Sequence, residues 1–455
     1  MKNARYLALS ILRSIYKGVF ADAALDQGLR QAEVNDLDRR LATELVYGSV
    51  RRQRTLDALI NQFSQKKVHQ QPPDLRLILH LGLYQLRYLD HIPPSAVVNT
   101  TVELTKQQGF TGLAGFVNGL LRKYLRLAEQ GQQGELTQPG ADILQLPEDP
   151  IARLGILHSY PDWIVQIWAE QFGLAEAEQL CIALNQSPLI DLRVNVLQTS
   201  VAQVEAAMQG VGVAVSRIPF LPQGLRLVGH SGSIQNLPGF REGWWMVQDS
   251  SAQLVGHLLD PQLGEVVIDA CAAPGGKTMH LAELMQDSGT VWACDRAASR
   301  LKRLQENCDR LQLKSIRICT GDSRSFPQFA QQADRVLLDA PCSGLGTLHR
   351  HADARWRQTP DSVQALTQLQ AELLTQAATW VKPGGHLVYA TCTLHPAENE
   401  QIVTAFLAEN PRWQIEVPQM ETIAPSLIHP TGWIKVLPHQ HKMDGFFMVR
   451  LGQRE

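Results

Sequence analysis

The run Val266-Val267-Ile268-Asp269, continuing into Ala270-Cys271-Ala272-Ala273-Pro274-Gly275-Gly276-Lys277-Thr278, decides how this chain reads. A short β-branched apolar run closed by an acid predicts a buried strand, and the glycines after it predict a turn. Strand, glycine loop and helix in that order put a ligand loop at the carboxyl end of a parallel sheet. Gly275 and Gly276 allow close backbone approach, and the following helix offers its amide end. The loop is not a Walker A motif, although Gly276-Lys277-Thr278 imitates the end of one. Cys271 stands where that motif needs glycine, and the spacing is not G-x-G-x-x-G either.

Working downstream, Val291-Trp292-Ala293, Ile316-Arg317-Ile318, Val336-Leu337-Leu338 and Leu387-Val388-Tyr389 repeat the short apolar pattern, with helical segments near 296–311 and 362–382. Such alternation predicts a mainly parallel sheet covered by helices on both faces. Val436 and Phe446-Phe447-Met448-Val449 predict an added antiparallel edge hairpin. The second candidate strand ends at Asp295, placed to accept hydrogen bonds from both ribose hydroxyls of a nucleoside cofactor. Asp322 follows the third strand, where it could receive an adenine amino group, and Asp339 ends the fourth. Four successive strands ending at or just before an acid outline one pocket.

Two cysteines stand at the ends of later strands, in Asp339-Ala340-Pro341-Cys342-Ser343-Gly344 and in Ala390-Thr391-Cys392-Thr393-Leu394. A nucleophilic thiol, a second thiol and an acid around a cofactor pocket suit methylation of carbon 5 of a pyrimidine. That carbon is too weakly nucleophilic to take a methyl group unaided. A thiolate adding to carbon 6 makes the ring enamine-like and activates it. Cys181, Cys294, Cys308 and Cys319 read instead as small buried hydrophobes.

Upstream, residues 1–130 show apolar residues at helical spacing. Leu7, Ala8, Ile11, Leu12, Ile15 and Val19 form one series, Leu37, Leu41, Leu45 and Val46 a second, and Leu75, Ile78, Leu79, Leu83 and Leu86 a third. This segment holds 18 Lys+Arg against 11 Asp+Glu, a net of +7, while the rest of the chain carries a net of −9. A basic module joined to an acidic one points to a polyanionic partner for the first. Arg39, Arg40, Arg51, Arg52 and Arg54 are its candidates for phosphate contact. Residues 131–150 are expected to be a linker, 151–245 a small α/β accessory module and 246–455 the catalytic domain. Trp244-Trp245 read as packing residues.

Seven cysteines, odd in number and without a C-x-x-C pair, support neither a disulfide framework nor a zinc site, and a reducing cytoplasm is expected. No signal peptide is read at the N-terminus, and no apolar run approaches the ~20 residues of a membrane span.

These motifs resemble those of the S-adenosylmethionine-dependent RNA cytosine-C5 methyltransferases. The match takes in the 271–277 loop, Asp295, Gly321-Asp322 and the two cysteine segments. It extends to Lys382-Pro383-Gly384-Gly385, Glu398-Asn399-Glu400 and Asp444-Gly445-Phe446-Phe447. The helical head, similar to the NusB type, narrows the resemblance to the bacterial small-subunit ribosomal RNA methyltransferase B group. One departure is Ala352, where the family often has proline. The resemblance implies a NusB-like RNA-binding head, a small middle module and a Rossmann-like catalytic domain. It further implies S-adenosylmethionine as cofactor, held by Cys271, Ala272, Ala273, Pro274, Gly275, Gly276, Lys277, Asp295, Asp322 and Asp339. Cys392 is implied as the attacking thiol and Cys342 as the thiol assisting product release, with Asp339 on the cytosine ring at N3 or its amino group. Donation to N3 would require a raised carboxyl pKa. DNA enzymes attack with the Pro-Cys cysteine, so the added Thr-Cys cysteine favours RNA. A loop cytosine in small-subunit ribosomal RNA is the expected target, met by a monomer without metal or membrane. The readings weighed against it are a non-catalytic RNA-binding assembly or antitermination factor, and a methyltransferase acting on DNA or another RNA.

Overall fold

Apolar residues at i, i+3 and i+4 spacing fold the first part of the chain into helices, each burying one stripe. They run over Ala4–Tyr16, Ala21–Gln31, Asp36–Arg51, Gln53–Phe63, Pro73–Tyr88, Pro94–Gln107 and Ala114–Gln132. Leu12, Leu45, Leu56, Ile78, Leu83 and Leu121 close their common core. Pro73 and Pro94 start two helices, where a missing N–H leaves no hydrogen bond unmade. Leu37, read as part of an apolar stripe, is 76% exposed in the first turn of its helix.

The computed structural model describes residues 3–132, 142–229, 232–418 and 423–454. They form two units, Met1–Gln186 with Leu348–Arg357, and Ser187–Thr347 with Gln358–Glu455. This partition differs from the one expected at 150 and 245. The helices Pro150–His158, Asp162–Phe172 and Leu174–Ala183 pack with the head, and so does a strap of ten residues drawn from far along the chain. Residues 133–141 of the expected linker lie outside the described residues. Those that follow are built into the first unit, with Leu144 buried and Gln62 Nε2 donating to the Ile143 carbonyl at 2.8 Å.

Arg355 explains why the strap belongs to that unit. Its fully buried guanidinium donates to Asn185 Oδ1 at 2.9 Å and the Ser159 carbonyl at 3.2 Å, and lies 4.1 Å over the Tyr160 ring. Burial lowers its pKa to about 10. Trp356 Nε1 donates to the Val50 carbonyl at 2.8 Å, and Ala352 is buried in the same core. Of the arginine cluster, Arg51 and Arg54 are committed to packing. Arg51 is buried, and Arg54 binds Asp162 Oδ1 at 2.6 Å and the Tyr160 carbonyl at 2.5 Å. Arg39 donates to the Leu29 carbonyl, Arg52 lies over Tyr88, and Arg40 is exposed.

The second unit carries two sheets. Strands β1 (Asp191–Val194), β2 (Ala214–Arg217), β3 (Gly224–Val228) and β4 (Trp245–Val247) form an antiparallel sheet in the order β2-β3-β1-β4. Strand β1 is buried at all four positions and stops before the exposed Val196. Trp245 is fully buried and Trp244 packs in the same cluster, as read from the sequence.

The larger sheet contains β5 (Val266–Asp269), β6 (Thr290–Asp295), β7 (Ile316–Thr320), β8 (Ala333–Asp339), β9 (Val381–Thr391), β10 (Trp413–Ile415), β11 (Ile434–Val436) and β12 (Phe446–Gln453). Its order is β10-β12-β9-β8-β5-β6-β7, with β11 paired to β12. β5 to β9 are mutually parallel, as expected. β12 is not an edge strand: it runs antiparallel between β9 and β10 and sets Phe447 opposite Thr391. The chain order reverses between β5 and β8, and a crevice for ligands opens at such a reversal.

A buried pair joins the small sheet to the glycine-loop helix. Arg193 of β1 meets Glu283 through two contacts of 2.8 Å and donates to the Gly276 carbonyl at 2.8 Å. Burial pushes the Glu283 carboxyl up despite the nearby guanidinium. Such a pair adds little net stability, but stripping one member leaves a buried charge alone. Arg193→Ala should therefore destabilise the protein by about 3–5 kcal/mol in urea unfolding. A change below about 1 kcal/mol, the range of a surface pair, would contradict this.

Candidate active site

The pocket is assembled where β5, β6, β8 and β9 end. The 271–277 loop leaves β5 and is pinned to its neighbour, with Ala272 N donating to the Cys294 carbonyl at 2.8 Å and Ala273 N to Asp295 Oδ2 at 3.2 Å. Arg300 Nη2 binds the Ala273 carbonyl, and the Ala273-Pro274 peptide is cis. Gly275 has φ +106°, and a Cβ there would come within 2.7 Å of Leu304 and Met279, so the turn admits only glycine. At Gly276 a Cβ would meet nothing closer than Gln248 at 3.8 Å, leaving backbone open to a ligand. Thr278 donates to Asp269 Oδ2 at 2.7 Å, and the Cys271 backbone N–H also faces this buried carboxyl. An open glycine backbone at the start of a helix fits the close approach of a polar cofactor.

The expected acids differ in what already occupies them. Asp295 is nearly buried and accepts from Ala297 N at 2.8 Å as well as from Ala273. Asp322 is half-exposed and bound by Arg324 at 2.6 Å, whose hydrogen bonds hold its carboxyl down at about 2. Asp339 accepts from Lys277 Nζ at 2.7 Å, so it enters the site as an acceptor. Burial opposes the charge on Lys277, yet Asp339 beside it leaves the ammonium pKa raised. The same ammonium lies 4.9 Å over the Phe446 ring, which β12 supplies. Cys271 is partly buried in the loop floor, and burial pushes its thiol up. Cys181, Cys294 and Cys308 are buried, as expected, while Cys319 is partly so.

β8 and β9 bring the two cysteine segments together. Cys342 Sγ and Cys392 Sγ are 3.3 Å apart, and both thiols are free. The hydrogen bond to the Cys392 sulfur, followed by burial, pushes the Cys342 thiol well above its ordinary range. Either sulfur can donate in this contact. Gly346 N donates to the Cys392 carbonyl at 3.0 Å, and Gly445 N to the Gly346 carbonyl at 2.8 Å. A Cβ on Gly346 would strike the Gly445 carbonyl at 2.0 Å, so this three-loop junction requires a bare backbone.

Sequence reading gave no role to several residues now seen here. Phe446 and Thr278 touch the site, and Arg193 reaches it from the small sheet. Glu398 and Asn399, quoted only as matching motif, lie buried beneath both cysteine loops. Among the described residues, no group of three or more His, Cys, Asp or Glu side chains could hold a metal ion, and no helix is long and apolar enough to cross a membrane.

Comparisons with known proteins agree with this architecture. Residues 256–452 match the family model described as 16S rRNA methyltransferase RsmB/F, residues 2–126 the NusB family, and residues 160–233 an RsmF/B-like ferredoxin-like domain. The chain is 47% identical to the probable ribosomal RNA small subunit methyltransferase B of Synechocystis sp., over 99% of both chains. It is 34% identical to the probable enzyme of the same name from Bacillus subtilis, again over 99% of each. The crystal structure of PH0851 superposes with a TM-score of 0.81 at 27% identity, covering 99% of this chain and 98% of that one.

Asp269 yields a pH test. Burial pushes its carboxyl up to about 7, against the Thr278 hydrogen bond. An unfolded aspartate titrates near about 3.9, so the folded state binds the proton more tightly. The stability Asp269 contributes is full below the unfolded value and is lost as pH rises through about 7. Asp269→Asn removes that titration. The wild type should lose stability relative to this variant across the window and run parallel to it above. A difference that stays constant, or grows with pH, would contradict the buried carboxyl.

Proposed function

Because the chain belongs to the ribosomal RNA small subunit methyltransferase B family, whose members are S-adenosylmethionine-dependent, we propose that it methylates carbon 5 of a cytosine in small-subunit ribosomal RNA. The observation that carries the reading is the approach of Cys342 and Cys392 beside the Lys277–Asp339 pair. S-adenosylmethionine, when bound, supplies an electrophilic methyl group. The 271–277 loop, Asp295, Asp322 and Asp339 are the residues proposed to hold it, with Gly276 giving the close backbone approach.

The chain's own residues then divide the work on the base. Cys392 Sγ forms a bond to carbon 6, and the ring's double-bond electrons move toward carbon 5. Asp339, an acceptor fixed by Lys277, takes a hydrogen bond from the cytosine 4-amino group and orients the ring. After carbon 5 has gained its methyl group, it gives up its proton to a water molecule acting as base. The C–H electron pair returns to the ring as the double bond and the sulfur–carbon bond breaks, its electrons staying on Cys392. Cys342, retained as a thiol 3.3 Å away, donates its S–H to the departing Cys392 sulfur. The base must leave its stack to present both faces, so a loop cytosine suits the site. The NusB-like head is proposed to hold the RNA and raise its effective concentration at the pocket. The reaction is assigned to the cytoplasm.

Two substitutions test these roles with unmodified small-subunit ribosomal RNA. Cys392→Ala should abolish transfer of labelled methyl groups. Substantial residual turnover would defeat the assignment. Cys342→Ala should instead accumulate a covalent protein–RNA species on a denaturing gel, whereas normal product release without that species would remove Cys342 from its role.

A further inference from the structure

Beneath the two thiols lies a carboxyl that the proposed chemistry does not use. Glu398 is fully buried. Its Oε1 accepts from Ser343 N at 2.8 Å and Gln370 Nε2 at 3.0 Å, and its Oε2 from Thr393 Oγ1 at 3.2 Å and from the Ser343 hydroxyl. Ser343 follows Cys342, and Thr393 follows Cys392. Gln370 also donates to the Pro341 carbonyl at 2.8 Å, on the other side of Cys342. Tyr389 fixes the clamp from below, its hydroxyl donating to the Glu398 carbonyl at 2.6 Å. Asn399 completes the hold on the second loop. It accepts from Thr391 Oγ1 at 2.5 Å and donates to the Thr393 carbonyl at 3.0 Å, gripping Cys392 from both sides.

We propose that Glu398 is a positioning residue, a buried carboxyl that ties the Cys342 loop to the Cys392 loop and keeps the two sulfurs in contact. Four donors, three from the two loops and Gln370 from the Pro360–Ala378 helix, converge on its two oxygens, filling the acceptor sites a carboxylate offers. Alanine would leave those donors unpaired in a dry interior and let the loops drift apart. Glutamine can keep the connection, because its carbonyl oxygen faces the two N–H donors while its amide donates to the two hydroxyls. The inference rests on the reading that the thiols act in turn on one pyrimidine, but the distance it governs can be measured without RNA.

The test compares the full-length wild type, Glu398→Ala and Glu398→Gln. The oxidant diamide takes two electrons and two protons from a thiol pair and leaves a disulfide. The rate of Cys342–Cys392 cross-linking, followed by peptide mass mapping, therefore reports sulfur proximity directly. The alanine variant should cross-link at least about tenfold more slowly, and glutamine near the wild-type rate. In methyl transfer, alanine should lower kcat about 100-fold while KM for S-adenosylmethionine stays within about threefold. Ser343→Ala, which keeps the backbone N–H, should fall between these in both assays and serves if the alanine variant at 398 does not fold. A wild type that does not cross-link overturns the proposal. So do an alanine variant that cross-links and turns over normally, and a glutamine variant as impaired as alanine. A wild type that cross-links but methylates no cytosine would refute the proposed reaction while leaving the clamp intact.

Discussion

Two sulfur atoms fifty residues apart in sequence meet at 3.3 Å because neighbouring parallel strands end side by side. Asp339 of β8 is in register with Ala390 of β9, so the next few residues of each strand emerge into the same crevice. Parallel strands lie about 4.8 Å apart, which is close to what two facing side chains need to touch. The strand register, more than any single side chain, thus sets the chemistry available. Loops leaving both strands then bend toward each other through the Gly346–Cys392 and Gly346–Gly445 backbone bonds.

Charge is distributed sparingly around that contact. Lys277 and Asp339 neutralise each other in an ion pair, and the Phe446 ring covers the ammonium. Asp269 and Glu398 are buried carboxyls whose pKa values burial raises. Both are held by hydroxyl groups rather than by a direct ionic partner. A site arranged in this way keeps its polar groups fixed before a substrate arrives, which is the condition for electrostatic stabilisation of a transition state.

Much of this was legible in the sequence because the signals are local. The apolar runs closed by acids marked β5, β6 and β8, and the glycine loop between Asp269 and Lys277 marked the ligand end of the sheet. The two cysteines were conspicuous because each follows such a strand. What stayed hidden is long-range. Nothing near Arg193 announces that it will reach Gly276 from another sheet. The strap at 348–357 reads as a loop of the catalytic domain, yet Arg355 and Trp356 are buried among head helices. That Arg51 and Arg54 turn into packing could not be read either, because charge in sequence does not reveal which carbonyls will claim it. β12 passed for an edge because a hairpin's neighbours are unknown until the sheet closes around it.

The most direct measurement uses small-subunit ribosomal RNA carrying 5-fluorocytidine. Fluorine at carbon 5 cannot leave as a proton, so a methylated adduct is arrested on the protein and the attached residue can be found by peptide mass mapping. The nucleotide is expected on the peptide containing Cys392. Attachment through Cys342, or no adduct from RNA whose unsubstituted counterpart is methylated, would contradict nucleophilic attack by Cys392.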